Sequence, residues 1–202
     1  MLTNPRSSLD DRLAFVRAFL RSPRGVGSVV PSSRFLERRI VELSAIRDAT
    51  MIVELGPGTG GTTRAILRAM PRHARLLCIE IDQHLHKRLR RIDDPRLIAH
   101  LGSAEHLPET LSVHGLPAPH VVISGIPFYT MDRTVARRIL DGISEVLPHG
   151  GYFLAYQLRD RVAQLCRPPL ELRRVELELL NVPPMRVFRW EKNGAGSEFA
   201  GE

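Results

Sequence analysis

At 202 residues the chain suits one ordinary domain. Its 43% hydrophobic and 25% charged residues allow a packed core and exclude a disordered polymer, and no apolar run approaches the ~18 residues of a membrane-spanning helix. The 29 Lys and Arg outnumber the 22 Asp and Glu for a net charge of +7, which points to an anionic partner, either nucleic acid or an acidic membrane face.

The chain opens MLTNPRSSLDDR, without the apolar stretch of a secretory signal. Residues 8–21 read as an amphipathic helix. Leu9, Leu13, Val16 and Leu20 share one stripe, with Phe15 and Phe19 beside it and Arg12, Arg17 and Arg21 at its flanks. SPRGVGSVVPSS (22–33) interrupts with Pro and Gly, and a second helix spans 33–46, with Phe35, Leu36, Ile40 and Leu43 as its apolar side. MIVEL (51–55) is then a buried strand, followed by glycines and the helical TTRAILRAM. ARLLCIE (74–80), RLIAHL (96–101), HVVIS (120–124) and GYFLAYQL (151–158) read as further strands. Helices fall between them at 82–92 and 133–147. VELELLNV (175–182) and MRVFRWE (185–191) read as a closing antiparallel pair around Pro183-Pro184, and 193–202 as a disordered tail. Alternating strands and helices predict an α/β domain with a mostly parallel sheet. Cys78 and Cys166, far apart in apolar stretches, read as reduced core thiols. The eight histidines show no ligand spacing, so no metal is expected.

VELGPGTGGTT (53–63) is the strongest motif, because it leaves a strand and opens a helix. Gly56, Gly58 and Gly60 let backbone turn sharply and approach a ligand closely. With Gly61 counted, the spacing also fits a dinucleotide loop. Glu54 favours a different ligand: a carboxylate there suits a cationic amine and repels a pyrophosphate. A ligand-free structural turn is the bland alternative. Glu80 ends the next strand, 20 residues beyond Gly60, where an acid accepts both hydroxyls of a ribose. The alternative role, capping the following helix, falls to Asp82 and leaves Glu80 for the sugar.

This glycine loop and its two carboxylates resemble those of the S-adenosylmethionine-dependent methyltransferases over about residues 50–190. The resemblance implies a Rossmann-like, seven-stranded, mostly parallel sheet with an antiparallel last strand, preceded by N-terminal helices. It implies S-adenosylmethionine held by Glu54, Gly56, Gly58, Gly60, Glu80 and Ile81. Adenine contacts would come from Ser103, Ala104 and Glu105, with Ser124 nearby. SGIPFYT (124–130) stands where such enzymes meet the acceptor nitrogen, which makes Ser124, Gly125, Pro127, Phe128 and Tyr129 the catalytic candidates. Enzymes that methylate nucleobase amines carry Asn or Asp where this chain has Gly125. That departure counts against a nucleobase acceptor.

FLRSPRGVGSVVPSSRFL (19–36), IVELGPGTG (52–60), VISGIPF (122–128) and NVPPMRVFRW (181–190) are similar to the short, soluble, bacterial phospholipid N-methyltransferases. What that implies is transfer of up to three methyl groups to phosphatidylethanolamine, giving phosphatidylcholine. Residues 1–46 would serve as docking helices and lid, and 47–192 as the catalytic domain. The partners implied are an anionic membrane surface and a phospholipid substrate, with no nucleic acid, in a cytoplasmic, peripherally membrane-associated protein. Backbone carbonyls at Ser124–Gly125, Tyr129, Asp132 or water are the candidate proton acceptors. Phe128, Tyr129 and Tyr156 are the candidates for cation–π contact with a methylated head group, although mid-strand Tyr156 reads first as core. The rivals are an RNA adenine dimethyltransferase, another aminolipid acceptor such as an ornithine lipid, and a non-catalytic binding module.

Overall fold

A computed structural model describes residues 33–193; the expected helix over 8–21 and the tail from 194 onward lie outside the described residues. Ser33 opens helix α1 (Arg34–Leu43), its hydroxyl accepting from the Leu36 N–H at 3.2 Å. β1 (Met51–Leu55), α2 (Gly61–Ala69), β2 (Arg75–Glu80), α3 (Gln83–Leu89) and β3 (Leu97–Leu101) follow. Then come α4 (Leu107–Val113), β4 (Val121–Ser124), α5 (Arg133–Val146), β5 (Tyr152–Gln157), α6 (Arg161–Leu165), β6 (Leu170–Glu178) and β7 (Met185–Lys192).

The seven strands lie in the order β3-β2-β1-β4-β5-β7-β6. β1 to β5 are parallel, β7 runs against β5, and β6 runs against β7, so β7 alone is reversed. A sheet covered on both faces needs apolar residues on both sides of its strands. Each of β1, β2, β4 and β5 accordingly divides its side chains by parity. Met51, Val53, Leu55, Leu77, Ile79, Val122 and Phe153 join one core with α4, α5 and α6. Ile52, Leu76, Cys78, Val121, Ile123 and Leu154 join the other with Leu36, Ile40 and Leu43 of α1 and Ile66 and Leu67 of α2. Trp190 of β7 stacks between Phe153 and Phe188, with centroids at 5.0 and 5.6 Å, and is fully buried. α1 therefore packs on the same sheet as the rest of the domain.

Two features depart from the expected elements. β6 spans Leu170–Glu178 instead of 175–182. Its first half, ELRR, has no apolar alternation to announce it, and it pairs with β7 across an irregularity between Leu172 and Arg174. The apolar 179–182 stretch is a turn. There Asn181 bridges two segments, donating to the Pro183 carbonyl at 2.8 Å and accepting from the Ser33 N–H at 2.9 Å. The short helices α4 and α6 were not expected either, since seven and five residues hold too few turns to show a period.

Candidate cofactor and acceptor site

In a parallel sheet, ligands bind beyond the carboxyl ends of the strands, where the order switches direction. β1 is flanked here by β2 and β4, and the segments after all three converge. The Gly56 N–H bonds to the Ile79 carbonyl at 3.0 Å, and the Gly125 N–H bonds to the Leu55 carbonyl at 2.9 Å. Gly56, Gly58 and Gly60 all take left-handed backbone, at φ 69, 58 and 82°. At Gly58 an added Cβ would meet nothing within 4 Å, so the space above the loop is open.

Glu54 is fully buried beneath this loop. One oxygen accepts from the Thr63 hydroxyl at 2.6 Å and from the Cys78 thiol at 3.2 Å. The other, Oε1, is buried without a partner among the described residues. An unpaired buried carboxylate oxygen is costly, and a cationic ligand would relieve it. Burial pushes the Glu54 carboxyl up to about 7 against the two donors, and the charges of Glu80 and Glu37 add to the rise. Burial and Glu54 together also push the Cys78 thiol up, so it stays a donor.

A carboxyl raised on folding stabilises the fold below its unfolded value and loses that contribution as pH climbs through its folded value. The window for Glu54 is therefore about pH 4.5 to 7. Relative to Glu54→Gln, the ligand-free protein is expected to lose on the order of 3 kcal/mol across that window. Parallel urea melts of both proteins from pH 4.5 to 8 check this; a constant difference would contradict it.

Glu80 is also buried, and burial raises its carboxyl against backbone donors. Its oxygens accept from the Gly58 N–H at 3.1 Å and the Asp82 N–H at 2.9 Å. Glu80 is thus tied to the glycine loop rather than idle, yet each carboxylate oxygen keeps a further lone pair for a hydroxyl. Asp82 caps α3 as expected, accepting from His84 and Leu85. Ile81 is half-buried between them. Ser103 accepts from the Glu105 N–H at 3.2 Å and caps a 3-10 turn. Ala104 faces the core, and Glu105 pairs with Arg138 at 3.3 Å. Ser103 and Glu105 are therefore partly engaged by their own neighbours.

The loop after β4 is held from β5. Gln157, almost wholly buried, donates to the Ile126 carbonyl at 2.7 Å and accepts from the Phe128 N–H at 3.2 Å. Gln157→Leu would remove both side-chain bonds and leave the Phe128 N–H and the Ile126 carbonyl only the 2.9 Å bond between them, a loss of about 0.5–1.5 kcal/mol per bond. A fall in melting temperature with a larger loss of turnover than of cofactor affinity is the expected result, read by calorimetry and kinetics. Ser124 is buried, its hydroxyl accepting from the Ile126 N–H. A Cβ on Gly125 would strike the Tyr156 hydroxyl and come within 2.9 Å of the Gly56 carbonyl.

Two expected acceptor residues lie elsewhere. Phe128 is fully buried in the core, where it anchors the loop and cannot face a head group. Asp132 spends its carboxylate capping α5, accepting from the Thr134 N–H at 2.8 Å. Pro127 precedes the 3-10 turn 128–130 and accepts the Thr130 hydroxyl at its carbonyl. Tyr129 is half-exposed, with the Arg159 guanidinium 5.8 Å from its ring centre. Burial raises its phenol further, so it is no phenolate base at neutral pH. Sequence reasoning missed Thr63, Gln157 and Glu37. Glu37 of α1 places a carboxylate oxygen 2.6 Å from where a Gly61 Cβ would stand, so a third acid borders the loop.

The buried carboxyls of Glu54 and Glu80 beside the glycine loop disfavour a pyrophosphate and suit a cation, whereas Glu37 is offset by Arg68 at 3.8 Å. The orphaned Glu54 oxygen, the open cradle over Gly58 and the Glu80 acceptors fit S-adenosylmethionine, which carries an ammonium, a sulfonium and a ribose. Among the described residues no group of three or more His, Cys, Asp or Glu is placed to hold a metal ion, and no helix is long and apolar enough to cross a membrane.

No family model matches the chain. It is 26% identical over 147 residues to an ornithine lipid N-methyltransferase of Singulisphaera acidiphila, a match covering 72% of this chain and 77% of that protein. It is 34% identical over 95 residues to ribosomal RNA small subunit methyltransferase A of Phenylobacterium zucineum, covering 46% of this chain but only 32% of that protein. Among solved structures, N-methyltransferase NodS of Bradyrhizobium japonicum in complex with S-adenosyl-L-homocysteine superposes with a TM-score of 0.63 at 15% identity, over 94% of this chain and 99% of that one. The fold is that of the class I S-adenosylmethionine-dependent methyltransferases.

Proposed function

We propose that this chain, built on the class I methyltransferase fold, methylates the amine of a membrane aminolipid with S-adenosylmethionine as donor. Phosphatidylethanolamine and its partly methylated forms are the acceptors implied by the sequence resemblance. An ornithine lipid is the second acceptor, favoured by the name of the relative matched over three quarters of its length. The observation that carries the lipid reading over an RNA reading is Gly125. Tyr156 fills the space where an amide side chain would have to stand to receive the hydrogens of a nucleobase amine. The match to the ribosomal RNA methyltransferase, covering a third of that protein, supports a shared core and no more.

S-adenosylmethionine supplies an electrophilic methyl carbon on a sulfonium when bound. Glu54 would face its ammonium, Gly56, Gly58 and Gly60 would admit its backbone-side contacts, and Glu80 would accept its ribose hydroxyls, with Ile81, Ser103, Ala104, Glu105 and Ser124 around the base and methyl. The protein's share of the chemistry is then alignment and exclusion of water. The Gln157 clamp fixes the backbone beside Gly125, so the carbonyls of Ser124 and Gly125 keep a constant position as acceptors for amine hydrogens. An ammonium must lose a proton before it attacks; with Asp132 capping α5 and the Tyr129 phenol protonated, that proton leaves to solvent water, while the carbonyls of Ser124 and Gly125 would orient the amine by accepting hydrogen bonds from its remaining hydrogens. The Tyr129 face offers a cation–π surface for the methylated product, worth about 0.5–2 kcal/mol.

At the membrane, residues 8–21 would lie in the interface with their arginines toward anionic head groups. The test is to incubate pure protein with methyl-labelled S-adenosylmethionine and, separately, total lipid vesicles and total RNA. Label in the lipid fraction is the expected result; label in RNA would favour the adenine dimethyltransferase reading.

A further inference from the structure

Beside the acceptor loop lies an open cavity of about 660 Å³ whose lining includes Tyr129, Arg133, Arg159, Asp160, Arg161 and Arg186. Its position follows from the sheet register. Arg186 stands level with Gln157 at the end of β5, and β5 neighbours the end of β4, where Gly125 begins the acceptor loop. Tyr129 belongs to both the loop and the cavity wall.

The charge of this cavity is lopsided. Four guanidinium groups face one carboxylate, and that carboxylate, Asp160, is already paired with Arg186 at 2.9 Å. Arg161 is fixed by donating to the Tyr129 carbonyl at 3.1 Å. Arg133 and Arg159 form no ion pair among the described residues, and both are exposed. Like charges gathered without counter-charges repel one another, and an oxyanion offsets that repulsion. Guanidinium groups bind planar carboxylate and phosphate oxygens through forked, charge-assisted hydrogen bonds.

We propose that this four-arginine cavity binds the anionic group of a zwitterionic substrate, anchoring the head group so that its amine reaches the loop at Gly125. The site rests on the aminolipid reading and narrows it: the acceptor carries a phosphate or carboxylate a short tether from its amine. A phosphoethanolamine head group has two carbons between the anion's oxygen and the amine. In an N-acylated ornithine head group, four carbons separate the carboxylate from the free side-chain amine.

The test compares wild type with the Arg133→Gln, Arg159→Gln double variant, whose two positions are exposed and leave the core intact. Direct binding of soluble glycerophosphoethanolamine and of Nα-acetylornithine is measured by calorimetry. Turnover is measured on vesicles of phosphatidylcholine doped with phosphatidylethanolamine, with ornithine lipid, or with a long-chain alkylamine that lacks an anion. The variant is expected to bind one of the two soluble probes at least ~10-fold more weakly. Its KM for the corresponding lipid should rise by a similar factor, and its preference for that lipid over the alkylamine should fall at least ~10-fold. The lipid that responds names the anion. Unchanged probe binding, or equal losses on lipid and alkylamine, would overturn the site. Failure of the aminolipid reading itself looks different: wild type would methylate no lipid, and probe binding alone would then decide whether the arginines form an anion site.

Discussion

Glu80→Ala is expected to weaken S-adenosylmethionine binding by at least ~100-fold. Two hydrogen bonds from ribose hydroxyls to a charged acceptor are worth about 1.5–3 kcal/mol each, and about 3 kcal/mol in total already corresponds to that factor. The structure adds a second loss, because the same carboxylate holds the Gly58 N–H at 3.1 Å and the Asp82 N–H at 2.9 Å. Without it the glycine loop loses its side-chain tie to the end of β2, while the Gly56 N–H bond to the Ile79 carbonyl remains. Glu80→Gln separates the two effects. It keeps one carbonyl oxygen but introduces an amide that meets a backbone N–H, so cofactor affinity should fall nearly as far while the melting temperature falls less. Calorimetry on the three proteins checks this, and unchanged affinity in Glu80→Ala would remove Glu80 from the site.

Gly125→Ala should be equally severe and for a steric reason. The added methyl would overlap the Tyr156 hydroxyl and press on the Gly56 carbonyl at 2.9 Å. One contact is a side chain that can swing, but the other is backbone of the glycine loop. Relief therefore pushes the acceptor loop and the cofactor loop apart. A displacement of about 1 Å between reacting groups costs on the order of 100-fold in rate, and overpacking costs about 1–3 kcal/mol of stability. Removing the ring in a Gly125→Ala, Tyr156→Ala double variant should restore part of the stability. It should not restore full turnover, because the Gly56 carbonyl remains in the way. A single Gly125→Ala variant with wild-type kcat/KM would contradict the account of this loop.

The parts of the site legible in the sequence are those whose signal is local. Glu54 and the glycines sit in one strand-to-helix window, and Glu80 follows at a fixed distance along the next strand. The same locality exposed the parallel sheet, since buried strands of four to six residues alternate with amphipathic helices. What stayed hidden depends on topology. Gln157 clamps residues 126–128 only because β5 lies beside β4, and no spacing in the chain relates position 157 to position 126. Glu37 reaches the loop because α1 packs over α2, on the face opposite α5. Phe128 shows the converse difficulty. An aromatic next to Pro127 and Tyr129 reads as a contact for substrate, but whether it points inward is set by the 3-10 turn it begins, and it is buried. Tyr156 follows the same logic in reverse: mid-strand it reads as core, while the Gly125 gap lets its hydroxyl reach the end of β4. The charged first half of β6 is an edge strand, where solvent tolerates Glu171, Arg173 and Arg174, so burial left no pattern there to read.

The most direct test of aminolipid methylation is the mass of the acceptor head group itself. Pure protein is incubated with S-adenosylmethionine and vesicles containing phosphatidylethanolamine or ornithine lipid, and the extracted lipids are fragmented in a mass spectrometer. One to three added methyl groups on the head-group nitrogen of one of these lipids is the predicted result. Unmodified head groups in both, with dimethyladenine appearing when ribosomal RNA is supplied instead, would contradict it.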